Sequence, residues 1–189
     1  MRLLPGSAGA SLSAMRIVGL CGSLRGGSSN HLLLRTVPNL APAFSMQIYE
    51  GLATLPHFSP DLDVEEAPDS VRDLRALVGS ADGVIVSSPE YAHGIPGTLK
   101  NALDWLVSSG EFMHKPVVLW SASPSGADYV HPQLMEVLRV MTATIVSEAC
   151  LRISSARQSF DVSGQLIDRQ LAQTLGQSLL LLAHAISAP

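Results

Sequence analysis

The sequence RIVGLCGSLRGGSSN, residues 16–30, places a short apolar run directly before a loop rich in glycine and serine. The apolar run at residues 16–21 has the length and the branched side chains of a buried strand. Immediately after the loop, apolar residues recur at helical spacing over residues 30–40. This order of strand, loop and helix predicts that a parallel α/β sheet starts here.

The same alternation of short apolar runs and longer helical patterns continues along the chain. Strands are predicted at residues 16–21, 46–49, 83–87, 116–121 and 144–147, with residues 150–153 as a candidate continuation of the last. Helices are predicted at residues 30–40, 70–81, 98–107, 129–141 and 167–186. Because such helices cover both faces of a sheet, we expect a flavodoxin-like three-layer sandwich with a five-stranded parallel sheet of order 2-1-3-4-5. The connection at residues 51–68 is expected on the surface.

Length and composition indicate the size class and exclude several kinds of partner. Hydrophobic residues make up 47% of the 189 residues, which suits one domain, expected at residues 15–189 after a disordered extension at residues 1–14. The formal net charge is -4 and no run of lysines or arginines forms a basic stripe, so neither nucleic acid nor a membrane is expected as a partner. Cys21 and Cys150 lie in apolar stretches without CxxC or zinc-cluster spacing, which favours the cytoplasm.

The loop after the first strand has the chemistry of a phosphate-binding site. Its glycines allow backbone amides to approach a ligand, its serines and Asn30 offer short polar side chains, and the following helix contributes a partial positive charge. Arg25 adds a fixed positive charge. The alternative is that serine and asparagine only cap the helix while glycine forms the turn. Arg25 favours the phosphate interpretation, because an arginine in such a loop has no packing purpose.

Two well-known phosphate motifs do not match this loop. A Walker A motif starting at Gly22 would reach Gly27 with the correct spacing, but Ser28 stands where lysine is required. The dinucleotide motif GxGxxG is absent, because Cys21 follows Gly19 at the position of the second glycine. These differences disfavour nucleoside triphosphate hydrolysis. Cys21 is interpreted as a small buried hydrophobic residue.

A second polar loop, SPEYAHGIPGTLKNALDW at residues 88–105, follows the third predicted strand. Its prolines and glycines shape the loop, while Glu90, Tyr91 and His93 place polar and aromatic groups near the carboxyl end of that strand. Ligands of open α/β sheets bind beyond the carboxyl ends of the strands, where the strand order reverses. The first and second loops are therefore predicted to form one site.

The two loops GSLRGGSSN and SPEYAHGIPGTLKNALDW resemble the signature loops of the NADPH-dependent FMN reductase family, which includes reductases of quinones, azo dyes and chromate. Residues 55–62, LPHFSPDL, resemble the family's loop after the second strand, so the likeness covers the chain from Met15 onward. The resemblance implies an enzyme that holds FMN, takes electrons from NADPH or NADH and reduces a quinone, free flavin or similar small molecule. It also implies a homodimer or homotetramer.

The resemblance assigns FMN-binding residues to both loops. It implies that the phosphate is bound by Ser23, Arg25, Ser28 and Asn30. It also implies that the ribityl chain and the isoalloxazine ring are lined, largely through backbone groups, by Pro89, Glu90, Tyr91, Ala92 and His93. Members often have asparagine at the position of Ala92, so a side-chain hydrogen bond from that position is absent here.

Ser123, after the fourth predicted strand, is a further candidate for the flavin site. The alternative for its loop is a simple turn in which Asp128 caps the next helix.

We expect no catalytic side chain, because a flavin accepts hydride directly at its ring. No metal ligands are expected, because the histidines lack metal-binding spacing.

Other functions of the same fold remain as alternatives. A flavodoxin-type electron carrier usually has a phosphate loop without arginine and aromatic residues on both sides of the ring, whereas this chain has Arg25 and one tyrosine in the second loop. A phosphate-binding module without flavin is the other alternative, since fold does not fix function.

Trp105 is expected in the core or at a subunit interface. Trp105 is also expected, with Tyr91 and Ile95, near a flavin ring that one subunit covers only in part. A second subunit, paired by two-fold symmetry, would complete the pocket.

Overall fold

The computed structural model describes residues 14–188, so the predicted extension lies outside the described residues apart from Ala14. The strands are β1 (Met15–Cys21), β2 (Phe44–Tyr49), β3 (Gly83–Ser88), β4 (Pro116–Ala122), β5 (Thr144–Ile145) and β6 (Leu151–Ile153). The helices are α1 (Ser29–Leu40), α2 (Asp69–Ser80), α3 (Gly97–Trp105), α4 (Val130–Val140) and α5 (Arg169–Ser187). Within residues 14–188, no helix has the length and apolar character that crossing a membrane requires.

All strand pairs of the sheet are parallel, and the predicted order is confirmed as β2-β1-β3-β4-β5. The last strand consists of two pieces, β5 and β6, which both pair with β4, so the candidate continuation at residues 150–153 is confirmed by β6. Between the two pieces the chain leaves the sheet in a short 3-10 turn, Ser147–Ala149. The amide of Leu119 faces this break and donates to the Sγ atom of Cys150 at 3.3 Å. A cysteine side chain thus replaces a backbone acceptor of the missing strand.

The sheet separates two apolar layers, as the alternation of strand side chains requires. Val18, Val84 and Leu119 point to the layer covered by α2, α3 and α4. Ile17 and Ile85, at alternate positions on β1 and β3, point to the layer covered by α1 and α5. Every residue of β3 is buried, which explains why apolar residues follow one another without interruption at residues 84–86 of this central strand. The three-layer sandwich is therefore confirmed.

Trp105 ends α3 inside the core. Its side chain is fully buried, its indole nitrogen donates to the carbonyl of Pro56 at 2.9 Å, and its ring meets Phe58 edge to face at 5.1 Å. The packing interpretation is confirmed. The expectation that Trp105 lies beside an open flavin ring is wrong, because no part of the side chain reaches the surface.

The connection between β2 and α2 is packed more closely than the sequence predicts. Leu52, Leu55 and Ala67 are buried, so the segment is only partly on the surface. Arg75 of α2 donates to Asp63 at 2.7 Å and to the carbonyl of Trp105 at 2.7 Å. Hydrogen bonds from Ser108 and Arg75 lower the pKa of the Asp63 carboxyl. This ion pair attaches the connection to the end of α3.

Candidate functional site

The loops that follow β1, β3, β4 and β6 meet at the carboxyl edge of the sheet and enclose a cleft of about 410 Å³. The neighbouring strands β1 and β3 lead into α1 and α3, which pack on opposite faces, so the cleft lies at the switch point of the sheet. Most sites for small molecules have volumes of about 300 to 1,000 Å³. The cleft therefore has the size and the location of a binding site for a small molecule.

Most of the predicted site residues are brought together by this cleft. It is lined, among others, by Ser23, Arg25, Ser28, Asn30, Pro89, Glu90, Tyr91 and Ser123. The other two predicted residues, Ala92 and His93, are exposed at the tip of the second loop and lie outside the lining. The site thus combines the first, second and third loops, as the sequence indicates.

The first loop turns back on itself, so that Ser23, Arg25 and Ser28 face the same space. The amide of Ser28 donates to the carbonyl of Arg25 at 3.1 Å, and the amide of Arg25 donates to the hydroxyl of Ser23 at 3.3 Å. At Gly22 the backbone passes close to the end of β3, where an added Cβ would lie only 2.9 Å from the hydroxyl oxygen of Ser88. Gly27 adopts the left-handed conformation, with φ of 71°.

The N-terminus of α1 opens into the cleft. Its first backbone bond to a carbonyl four residues earlier runs from Leu32 to Ser28 at 2.9 Å, so the amides of Ser29, Asn30 and His31 precede the helical hydrogen-bond ladder. In the described structure, the side chain of Ser28 makes no capping hydrogen bond, and the first turn of α1 contains no acidic residue. The capping alternative does not account for Ser28. These amides and the helix dipole favour an anion.

The side chain of Asn30 is used inside the fold. Its Nδ2 atom donates to the carbonyl of Ala122 at 2.9 Å, and its Oδ1 atom accepts a hydrogen bond from the hydroxyl of Ser87 at 3.0 Å. Only 3% of the residue is exposed. Asn30 lines the cleft, but its carboxamide fixes the first turn of α1 against β3 and β4.

The second loop forms a tight turn over Tyr91–Gly94. The amide of Tyr91 donates to the carbonyl of Gly94 at 3.2 Å, and the reverse bond measures 2.9 Å. Ala92 and His93 are both left-handed, with φ of 48° and 59°. The hydroxyl of Tyr91 lies 3.3 Å from that of Ser23, so the first and second loops meet across the cleft.

Glu90 connects the second loop to α4. Its carboxylate accepts hydrogen bonds from the amides of Tyr129 and Val130 at 2.8 and 3.0 Å and from the hydroxyl of Ser125 at 2.8 Å. The bond from Val130 is the largest of the effects that lower the pKa of Glu90. The alternative in which Asp128 caps α4 is wrong, because Asp128 pairs with Arg152 and the amides at the start of α4 donate to Glu90.

The loop after β6 adds residues to the cleft that the sequence analysis missed. Ser155, Ala156 and Arg157 line the cleft, with Ser155 in the left-handed conformation at φ of 54°. The guanidinium of Arg157 donates to the carbonyls of Phe160 and Asp161 at 3.3 and 3.4 Å. A serine and an arginine after a short apolar run repeat the pattern of the first loop.

Other reactive side chains give no sign of a second centre in the described structure. Within residues 14–188, no group of three or more His, Cys, Asp or Glu side chains could hold a metal ion. Cys21 is buried, as predicted, and burial raises the pKa of its thiol. A thiol in such surroundings is inert at neutral pH.

Comparison with known proteins identifies relatives of this chain. The NADPH-dependent FMN reductase family matches residues 15–158. A quinone reductase of Escherichia coli (strain K12) is 35% identical over 141 residues, which cover 71% of this chain and 74% of that protein. An NAD(P)H-dependent FMN reductase of Pseudomonas aeruginosa is 29% identical over 169 residues, 87% of this chain and 91% of that protein. The structure of FerB, a flavoenzyme NAD(P)H:(acceptor) oxidoreductase from Paracoccus denitrificans, has a TM-score of 0.82 and 26% identity, covering 91% and 97% of the two chains.

The contacts of Asn30 predict that its side chain stabilises the protein before any ligand binds. Replacing Asn30 by alanine leaves the carbonyl of Ala122 and the hydroxyl of Ser87 without these partners, which is expected to lower the free energy of unfolding by about 1 to 3 kcal/mol. Urea unfolding of the ligand-free protein measures this change. Ser29→Ala, one position earlier on α1, is the control and is expected to have little effect. Equal stability of the two variants would contradict this role of Asn30.

Proposed function

The chain belongs to the NADPH-dependent FMN reductase family, and on this basis we propose that the cleft holds FMN for the reduction of quinones and similar small acceptors by NADPH or NADH. The observation that carries the proposal is the open N-terminus of α1, which lies beside Arg25 and the buried Ser28 in the loop that carries the family signature. The chain is an FMN-dependent NAD(P)H oxidoreductase.

The donors at one end of the cleft fit the phosphate of FMN. Ser23, Arg25 and Ser28 would bind it together with the backbone amides in the first turn of α1. Asn30 would contribute its backbone amide, because its side chain is bonded inside the fold. A phosphate carries close to two negative charges at neutral pH, and charge-assisted bonds from arginine and a helix N-terminus suit it. Arg157 would add a second positive charge from the opposite loop.

The second loop would hold the rest of FMN. Pro89, Glu90 and Tyr91 line the cleft beyond the phosphate end, while Ala92 and His93 form the turn that sets their backbone. Ser123 approaches from the third loop. When bound, FMN would supply the redox centre that takes hydride from NADPH or NADH and passes the electrons to the acceptor. The protein binds the phosphate, orients the ring and leaves one approach open, and no side chain is needed as a catalyst.

A flavodoxin-type carrier is less supported than an enzyme. Curated relatives that match most of this chain include proteins named as a quinone reductase and as an NAD(P)H-dependent FMN reductase. The cleft also carries two arginines, Arg25 and Arg157, whereas carriers usually have phosphate loops without arginine. The two cysteines are free, which supports a reducing cytoplasm as the location.

We also propose a homodimer, formed through the open groove beside α3. This groove of about 700 Å³ includes the apolar side chains of Leu52, Leu55, Phe58 and Ile95. Lys100 and Asp104 form an ion pair along α3 at its edge. A two-fold axis would place the same groove of two copies face to face, and each copy would shield the open side of the other's cleft.

Loss of Arg25 is expected to weaken FMN binding but not riboflavin binding. A charge-assisted contact of about 1.5 to 3 kcal/mol corresponds to a loss of affinity of roughly 10- to 150-fold. Riboflavin lacks the phosphate, so its affinity for Arg25→Ala is expected to equal that for the unchanged protein. Quenching of flavin fluorescence measures both constants. Arg139→Ala, at the far end of α4, is the control for the change of charge. Equal weakening of both ligands would contradict the phosphate assignment.

The enzyme is expected to reduce a quinone without any partner protein. Because one cleft has to serve donor and acceptor in turn, initial rates with NADPH or NADH and a benzoquinone are expected to give parallel lines in double-reciprocal plots. Anaerobic mixing with excess NADPH or NADH is expected to remove the flavin's visible absorbance rapidly, because hydride transfer reduces the flavin. Turnover that appears only after a separate reductase is added would favour the carrier instead.

The mass of the protein in solution tests the homodimer. Light scattering of the unchanged protein at micromolar concentration is expected to give twice the chain mass of 20.0 kDa or a multiple of it. Ile95→Asp places a charge in the groove and is expected to shift the mass to that of a monomer. Val162→Asp, on a fully exposed side chain, is the control. A monomeric unchanged protein with full activity would refute the proposal.

A further inference from the structure

The turn at Ala92 and His93 is strained and needs support from outside the second loop. Both residues are left-handed without being glycine, a conformation that costs conformational free energy at each position. The two bonds between Tyr91 and Gly94 close the turn but do not fix its direction. Its direction matters because Pro89, Glu90 and Tyr91 lead from the cleft into this turn.

The support comes from α4. The carbonyl of His93 accepts a hydrogen bond from the Nε2 atom of Gln133 at 3.0 Å. The ring of His93 stacks on Tyr129, with the ring centres 4.1 Å apart and the planes at 15°. Glu90, just before the turn, binds the amides of Tyr129 and Val130. The turn is thus attached to the first turns of α4 on both sides.

The carboxylate of Glu90 also connects the second loop to the third. One of its oxygens accepts from Ser125, whose hydroxyl lies 2.9 Å from that of Ser123, a residue of the cleft lining. Its other oxygen accepts both amides of α4. In the described structure, the residue at the helix's own N-cap position, Tyr129, makes no side-chain cap bond. Both oxygens of Glu90 are therefore engaged with α4 and the third loop.

We propose that Glu90 is a positioning residue, which caps α4 from the second loop and so fixes the backbone that receives the flavin ring. This inference rests on the proposed function, in which the ring lies against the second loop. It differs from the interpretation in which Glu90 acts as a direct ligand of FMN. In our proposal the carboxylate acts through α4 and Ser125, while the backbone around it faces the ring.

Three variants separate these roles. Glu90→Ala removes the cap, and Glu90→Gln keeps a side-chain oxygen that can accept hydrogen bonds from the amides of Tyr129 and Val130. Glu136→Ala is the control, because it removes an exposed carboxylate of α4 that bonds only Arg139 among the described residues. Three quantities are measured for each variant. They are hydrogen exchange at the amides of Tyr129 and Val130 without ligand, the affinities for FMN and riboflavin, and the visible spectrum of the bound flavin.

The expected result for Glu90→Ala is faster exchange at both amides, a changed flavin spectrum and a roughly five- to tenfold loss of affinity, equal for FMN and riboflavin. Glu90→Gln is expected to restore affinity and spectrum most of the way, and Glu136→Ala to behave as the unchanged protein. Faster exchange with unchanged affinities and spectrum would overturn the proposal, because the cap would then be only structural.

Two other results also count against the proposal, for different reasons. If Glu90→Gln loses as much affinity as Glu90→Ala while the exchange of the α4 amides stays slow, the carboxylate binds the flavin directly. If the unchanged protein binds neither FMN nor riboflavin, the proposed function is wrong and the positioning role falls with it. The exchange data would in that case still show whether Glu90 caps α4, so the two failures can be told apart.

Discussion

The side chain of Asn30 ties the first turn of α1 to the ends of β3 and β4, and the cleft depends on that attachment. Both bonds are buried, so the helix cannot turn away from the sheet without leaving polar groups unpaired. The amides that precede the helical ladder are thereby held open at the carboxyl edge of the sheet. Arg25 and Ser28 lie beside these amides, which makes this end of the cleft the natural place for a phosphate.

Contacts between loops make the cleft a preformed site. Tyr91 of the second loop reaches Ser23 of the first, and Glu90 of the second loop reaches Ser125 of the third. Each contact joins segments that are far apart in the chain and therefore fixes their relative positions. A site formed before the ligand arrives loses less conformational entropy on binding. The loops can then hold a cofactor while one approach stays open for donor and acceptor.

The architecture could be predicted because buried parallel strands contain continuous apolar runs, such as residues 84–86 of β3, and because apolar residues recur at helical spacing in the helices. The first and second loops could be located for the same reason, since both follow such runs. The continuation of the last strand at residues 150–153 could be predicted, but the role of Cys150 at the break could not, because it depends on the amide of Leu119, 31 residues away. Likewise, the cap of α4 by Glu90 could not be predicted, because Glu90 and Tyr129 are 39 residues apart and the neighbouring sequence offers only Asp128 as a candidate.

The position of the phosphate in a crystal structure of the complex with FMN tests the central claim most directly. We expect the phosphate oxygens within hydrogen-bond distance of the backbone amides in the first turn of α1 and of the guanidinium of Arg25. We also expect the ring against the backbone that follows Pro89. A phosphate bound elsewhere, with the amides of Ser29 and Asn30 bonded only to water, would contradict the account.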